Sequence, residues 1–111
     1  MPPEAQLTVA IRDENGQTRV GCSGEIDLYT HELLKMHLDN PPPLKGEGII
    51  DLTRTEHLDA AGFRIIRTFA HRVKEAGKNI KILALAKSIV HRIFELTGFH
   101  REFPIEYQDS H

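Results

Sequence analysis

The sequence predicts an α/β domain built on a mixed sheet of four to five strands, with an N-terminal hairpin and three to four helices. Near the start of the chain, apolar and polar residues alternate in two short segments, which is typical of antiparallel strands with one buried face. Short apolar runs then alternate with segments of helical periodicity, which is typical of strands joined by crossover helices. The chain has 111 residues, close to the commonest domain size. We therefore expect one domain over residues 1–111, with loose ends at residues 1–5 and 108–111.

The first two strands are predicted to form the hairpin. Residues 7–12 alternate between apolar and polar side chains, and residues 13–16 supply a turn because Asn15-Gly16 can adopt positive φ. The returning strand runs from Thr18 to Gly24, with Val20 and Cys22 on one face.

The first helix is predicted over His31–Asp39. Thr30 is the expected N-cap residue, and Glu32 in the first turn is favourable against the helix dipole. Leucines recur at helical spacing through the segment. The helix should end at residues 40–43, since proline lacks the N–H and disfavours helix in the residue before it.

The central strand and the second helix come next. Residues 49–52 form a short apolar run of the kind found in central strands, and residues 53–58 are expected to form a loop. Asp59 then precedes a helix that should end at Gly77, a natural C′ residue. The apolar stripe of this helix consists of Ile65, Ile66, Phe69, Ala70, Val73 and Ala76.

The last third of the chain predicts two more strands and a helix. Residues 80–85 read as a strand, Ser88 as the cap of a short helix, and Gly98 as its end. Residues 103–107 could add an edge strand. The helix is expected to turn five apolar residues inward: Ile89, Val90, Ile93, Phe94 and Leu96.

Composition excludes several kinds of function. Fourteen Lys and Arg against sixteen Asp and Glu leave a net charge of −2, scattered along the chain, so no electrostatic footprint for nucleic acid or an anionic membrane is present. No apolar run approaches the ~20 residues of a membrane span, and the first residues lack the features of a signal peptide. The single cysteine cannot form an intramolecular disulfide, which fits a reducing cytoplasm.

The histidines do not predict a metal site. Seven are present, but none lies in a metal-binding motif with a third ligand in register. His91 and Glu95 are four residues apart on one helix, and a solvated i, i+4 pair is the preferred interpretation. His31 and His37 do not share a helix face. We expect no bound metal and no cofactor.

An enzyme is equally disfavoured. Cys22 falls at an inward strand position, where an inert buried thiol is expected, and Ser88 reads as a cap outside any nucleophile elbow. Asp51 and Asp59 are a conceivable carboxylate pair, but nothing indicates that their environments differ enough for acid and base roles. The glycines are isolated, so no phosphate-binding loop is indicated.

The segment from Asp51 to Phe63 is the remaining candidate for function. It reads as a strand end, a loop and a helix N-terminus, where free N–H groups and the positive end of a helix dipole face outward. Taken alone, Asp59 could equally be an ordinary N-cap residue.

Four short motifs occur in the same order as in one known family. The match extends from about Leu7 to Ile105 and so covers nearly the whole chain. The motifs are Gly24-Glu25-Ile26-Asp27, Asp51-Leu52 with Asp59-Ala60-Ala61-Gly62, Arg92-Ile93-Phe94-Glu95-Leu96-Thr97-Gly98, and Phe103-Pro104-Ile105. In this respect the chain resembles the STAS domains of anti-sigma-factor antagonists. Each motif alone is weak, and the four in register are specific.

The resemblance implies a binding function within bacterial transcription control. Such an antagonist binds an anti-sigma factor, often a serine kinase, and so frees a sigma factor for RNA polymerase. The kinase phosphorylates the serine before the glycine of the D-S-S-G motif and thereby ends the complex, since phosphate adds about −1.5 to −2 charges to the docking surface. The implied partner-binding residues are Asp27, Asp59, Ala60, Ala61, Gly62 and Phe63.

The sequence departs from the family pattern at the phosphoacceptor. Ala61 stands at that position and Ala60 beside it, and neither has a hydroxyl group. The resemblance therefore implies the fold and the binding surface without phosphorylation control at this site. Thr53, Thr55 and Ser88 carry hydroxyls, but loop and cap roles are the preferred interpretation for them.

Two alternatives remain open from the sequence. The domain could serve a different assembly, such as a stressosome-like scaffold or a lipid-transport ATPase complex. It could also be a nucleotide or small-ligand sensor that uses the helix end at Ala60 to Phe63. The sequence does not indicate an oligomeric state.

Overall fold

The computed structural model describes residues 6–39, 44 and 46–109, and within them the predicted order of elements is confirmed. A five-stranded sheet has the order β1-β2-β3-β4-β5, with β1 antiparallel to β2 and every later pair parallel. The strands are β1 (Leu7–Glu14), β2 (Gln17–Ile26), β3 (Glu47–Leu58), β4 (Ile80–Leu85) and β5 (Ile105–Gln108). The helices are α1 (His31–Asp39), α2 (Ala60–Glu75), α3 (Ile89–Thr97) and a 3₁₀ turn, Phe99–Arg101.

The hairpin forms as its turn residues predict. Asn15 and Gly16 have φ of 51° and 78°, the two positive values that a tight hairpin turn requires. Beyond the turn, Val20 and Cys22 face the core at 2% exposure each.

β3 is longer than predicted, and the expected loop over residues 53–58 was wrong. This segment continues the strand to Leu58 because it pairs with the end of β2 across two bulges. The polar residues that suggested a loop are accommodated in two ways. Arg54, Glu56 and His57 lie exposed, while Thr55 is buried and donates a hydrogen bond from Oγ1 to the Cys22 carbonyl at 2.8 Å.

All three helices pack on one face of the sheet. The connections β2-α1-β3, β3-α2-β4 and β4-α3-β5 step across the sheet in the same direction, and right-handed crossovers then place their helices on the same side. Buried residues of these helices form one cluster with buried residues of the strands. The other face of the sheet is left without a helical layer among the described residues.

The inward face of α3 is narrower than predicted. Val90 and Phe94 are fully buried, but Ile89 is 41% and Leu96 78% exposed. A nine-residue helix laid against a sheet buries one stripe, and these two apolar residues fall outside it. The caps are as predicted: Ser88 Oγ accepts a hydrogen bond from the His91 N–H at 3.2 Å, and Gly98 has φ of 76°.

The described part of the chain ends shortly after β5. Gln108 is the last residue of β5, opposite Leu85; the loose ends expected at residues 1–5 and 108–111 stay a prediction. Residues 1–5, 110 and 111 lie outside the described residues, as do residues 40–43, where α1 was expected to end; the helix is described to Asp39. Within the described part, no helix is long and apolar enough to cross a membrane.

Candidate functional site

The candidate site lies at the edge of the sheet where β2 and β3 both end. Their last residues, Ile26 and Leu58, are partners in the parallel register, and the Asp59 N–H donates to the Ile26 carbonyl at 3.1 Å. Asp27 and Asp59, which follow these strands, therefore lie at the same edge. The two helices that begin after them place their N-termini side by side.

Asp59 joins the two helix N-termini. Its Oδ1 accepts a hydrogen bond from the Gly62 N–H at 2.7 Å, which makes it the N-cap residue of α2 as predicted. His31 Nε2, at the start of α1, lies 2.7 Å from Oδ1 and 2.9 Å from Oδ2 of the same carboxylate. His31 was not predicted as a site residue, because its contact with Asp59 depends on β2 and β3 being neighbouring parallel strands, each followed by a helix start.

The charge on Asp59 is stabilised by these contacts. Partial desolvation alone would raise the pKa of Asp59, but the Gly62 N–H and the nearby His31 imidazole together hold it below its usual value. The carboxylate is thus ionised and fixed in orientation at neutral pH.

The loop between β2 and α1 is held by its own hydrogen bonds. Asp27 Oδ1 accepts from the Tyr29 N–H, and the Asp27 N–H donates to Thr30 Oγ1, both at 2.9 Å. Thr30 Oγ1 donates in turn to the Glu25 carbonyl at 2.8 Å. The side chain of Thr30 therefore fastens the loop, and among the described residues it accepts no hydrogen bond from α1, while its carbonyl accepts the ordinary first helical hydrogen bond, from the Leu34 N–H.

This rigid loop presents two apolar side chains to solvent. Leu28 is 77% and Tyr29 65% exposed, whereas large apolar residues are usually at least partly covered. Neither was predicted as a site residue. Adjacent exposed apolar residues on a hydrogen-bonded loop form a small apolar patch, and tyrosine is enriched at the energetic centre of protein interfaces.

Four of the predicted site residues reach the surface and two do not. Ala60 and Ala61 are exposed in the first turn of α2, and Asp27 and Asp59 are half-buried. Gly62 and Phe63 are buried and lie beneath this surface; that the six residues bind a partner stays a prediction.

The burial of Gly62 and Phe63 has a packing reason. A Cβ atom on Gly62 would overlap the Cγ2 methyl of Ile26, so glycine lets α2 begin close against β2. The Phe63 ring packs edge-on against Phe99 with centroids 5.2 Å apart and tilted against Phe94 at 6.0 Å. Both residues position the surface from beneath.

We call the resulting surface the helix-end surface and define it by Asp27, Leu28, Tyr29, Asp59, Ala60 and Ala61. It continues into a groove of about 360 Å³ between α1 and α2, which Ala61 and His31 line at one end. The surface offers an apolar loop, a fixed carboxylate and a small-residue helix start, which suit a protein partner.

The other residues considered from sequence do not join this site. Asp51 lies eight residues before Asp59 on the extended β3, roughly 25 Å away, and so the two do not form a carboxylate pair. Burial raises the pKa of the Cys22 thiol to about 12, with a contribution from Asp51. His91 and Glu95 pair at 2.9 Å as the predicted i, i+4 pair.

We find no cluster of three or more potential metal ligands among residues 6–39, 44 and 46–109. The absence of a metal, a cofactor and an enzymatic activity stays a prediction.

Removing the Asp59 side chain should make the stability of the protein less sensitive to acid. Asp59→Ala loses the N-cap hydrogen bond, and we expect a cost of about 1 kcal/mol at neutral pH. The pKa of Asp59 is lower in the folded protein than in the unfolded chain. Its contribution to the free energy of unfolding is therefore full above the unfolded-state pKa of about 3.9, and it is lost as the pH falls through the folded-state pKa. Urea unfolding of Asp59→Ala and of the parent between pH 7 and pH 3 tests this. The difference between their free energies of unfolding should become smaller as the pH falls.

Ser88→Ala is the matched control for this experiment. It removes the neutral N-cap of α3 and should cost a similar free energy at every pH in the acid range. A deficit for Asp59→Ala that stays constant down to pH 3 would contradict the assigned role of the carboxylate charge.

Comparison with known proteins is consistent with this architecture. The family model of the STAS domain matches residues 8–109. The anti-sigma-F factor antagonist RsfB of Mycobacterium tuberculosis is 30% identical over 103 residues, which span 87% of this chain and 79% of that protein. The anti-sigma-B factor antagonist of Bacillus subtilis is 26% identical over 95 residues, spanning 83% and 84%. The crystal structure of an anti-sigma factor antagonist from Mycobacterium paratuberculosis superposes with a TM-score of 0.76 at 26% identity, covering 96% of this chain and 90% of that one.

Proposed function

The chain belongs to the STAS domain family, and from this premise we propose that it is an anti-sigma-factor antagonist that docks its partner through the helix-end surface. In this role it binds an anti-sigma factor in the cytoplasm and thereby frees a sigma factor. The names of its relatives support this function. No catalytic step is needed, because the protein acts by occupying its partner.

The observation that carries the proposal is the pair of exposed apolar residues on a fixed loop at this surface. Leu28 and Tyr29 would be covered in a complex, and the hydrogen bonds of Asp27 and Thr30 already hold their loop. A preorganised loop loses little conformational entropy on binding, which favours affinity.

We further propose that the complex is not ended by phosphorylation at the usual position. Ala61 stands where the family resemblance places the phosphoacceptor serine, and its methyl group cannot accept a phosphate. Of the two threonines considered as replacements, Thr55 is buried and hydrogen-bonded to Cys22. Thr53 Oγ1 donates to Asp51 at 2.6 Å, in the middle of β3 and six residues before Asp59. Control of the complex would then come from the amount of the protein or from its partner.

Replacing both apolar loop residues tests the proposed function. Leu28→Ser with Tyr29→Ser should weaken binding to the anti-sigma factor by about tenfold or more, because central aromatic residues dominate the affinity of protein interfaces. The partner is first identified by affinity capture with mass spectrometry, and its affinity is then measured with purified proteins. The melting temperature should stay the same, since both side chains are exposed.

Leu96→Ser is the matched control. Leu96 is 78% exposed near the C-terminal end of α3 and is not one of the residues that define the helix-end surface, so its loss should leave the affinity unchanged. Capture that yields no anti-sigma factor would contradict the function. Equal affinity of the double variant and the control would contradict the surface.

A further inference from the structure

The face of the sheet opposite the helices carries a concave pocket of about 610 Å³. Its floor includes Ala10 and Gly21, which are opposite each other in the β1–β2 register. Three arginines line it: Arg12 from β1, Arg19 from β2 and Arg54 from β3. The residues that line the pocket include none of those that define the helix-end surface.

The arginines are arranged against the usual rule for paired strands. Arg12 and Arg19 are direct cross-strand partners, and like charges in this position are destabilising. Asp51 neutralises Arg19, with Oδ2 3.1 Å from Nη1. Within the described part of the chain, Arg12 and Arg54 have no ion-pair partner. Glu14 and Asp51 also line the pocket, so the lining keeps one excess positive charge.

Asp51 is fixed by a second set of contacts. Its Oδ1 accepts hydrogen bonds from the N–H of Thr53 at 2.9 Å and from Thr53 Oγ1 at 2.6 Å. This leaves Oδ2 to Arg19. The arrangement orients the Arg19 guanidinium and makes Asp51 a positioning residue.

Gly21 is a second exception to the usual rules for strands. Glycine weakens a strand interior, and in that position it often marks a bulge or a close approach of another group. Gly21 borders one of the two bulges of β2, between Gly21 and Ser23, but it needs neither a positive φ nor a missing Cβ atom there. Gly21 is absent from the glycines with positive φ, and a Cβ atom would meet only the Ala10 carbonyl oxygen, at 3.9 Å. The missing side chain leaves the floor of the pocket open.

We propose that this pocket binds a small molecule carrying a phosphate group. Its oxygens would lie among the guanidinium groups of Arg12, Arg19 and Arg54, whose planar N–H forks match phosphate geometry. Three cations favour a phosphate over a carboxylate, because a phosphate offers three oxygens and a carboxylate two. An anion beside Arg12 and Arg19 would further reduce the repulsion that Asp51 already offsets at Arg19.

The test uses ¹⁵N-labelled full-length protein titrated with pyrophosphate and, separately, with AMP at constant ionic strength. We expect saturable chemical-shift changes at residues of the pocket floor and walls. Arg12→Gln with Arg54→Gln should weaken binding by about tenfold or more, because each loses a charged hydrogen bond. Arg92→Gln on α3, an exposed arginine outside the pocket, is the charge control and should change the affinity little.

Gly21→Thr separates filling the pocket from removing charge. Threonine favours strand structure, so the melting temperature should be equal to or higher than that of the parent, while pyrophosphate binding is lost. Binding of pyrophosphate without AMP would support the site and restrict its ligand to a polyphosphate. The proposal would be overturned if neither probe shifted the amide signals of the pocket at millimolar concentration. It would also be overturned if Gly21→Thr bound pyrophosphate as tightly as the parent does.

Discussion

Gly24→Ala is expected to destabilise the protein by roughly 3–5 kcal/mol, the sum of a strained backbone and a steric overlap. Gly24 has φ of 112°, a region that residues with a Cβ rarely adopt. The added methyl group would also overlap the backbone carbonyl of Gln6, which accepts a hydrogen bond from the Glu25 N–H at 2.8 Å. A backbone carbonyl cannot move aside as a flexible side chain does, so β1 or β2 must shift.

Gly77→Ala is the matched control because it separates these two costs. Gly77 has φ of 80°, and no atom lies within 4 Å of the position that an added Cβ would take, so only the backbone term of about 1–2 kcal/mol should appear. Urea unfolding at pH 7 compares both variants with the parent. Equal losses for Gly24→Ala and Gly77→Ala would show that β1 and β2 adjust freely and that the overlap has no energetic consequence.

Features of the fold that depend on neighbouring residues were predictable from the sequence. The Asn15-Gly16 turn, the Ser88 cap and the end of α3 at Gly98 each depend on a few adjacent residues. The extension of β3 was not predictable in this way. It requires pairing between residues 53–58 and the end of β2, about thirty positions away in sequence, and two bulges that place Gly24 at its unusual φ.

The same distinction between local and long-range contacts applies to the candidate site. The N-cap role of Asp59 is local and was predicted. The contact of His31 with Asp59 joins two helices that only the sheet topology brings together. Phe63 was placed on the surface by family resemblance, although its spacing of three from Ile66, a member of the apolar stripe, already favoured the core. For Leu28 and Tyr29 the sequence offers no periodicity, since a loop residue is buried or exposed according to the course of the chain around it.

The helix-end surface can be tested most directly at Ala61. Ala61 is exposed in the first turn of α2 and lines the groove beside His31. Ala61→Asn introduces a side chain of nearly the same size as aspartate without a charge. It therefore serves as the control that separates crowding from electrostatics.

Ala61→Asp should weaken binding of the anti-sigma factor by about a hundredfold, since burying an unpaired charge at an interface costs several kcal/mol. Folding should be almost unaffected, because an acidic residue in the first turn of a helix is favourable by about 0.3–1 kcal/mol. The expected result is thus a large loss of affinity, by titration calorimetry, at a nearly constant melting temperature, with a smaller loss for Ala61→Asn. Ala61→Ser should bind as the parent does and should become a substrate when the partner is a serine kinase. Parent-like affinity of Ala61→Asp would mean that the partner docks elsewhere, because no complex that covers Ala61 could bury the new carboxylate without a measurable cost.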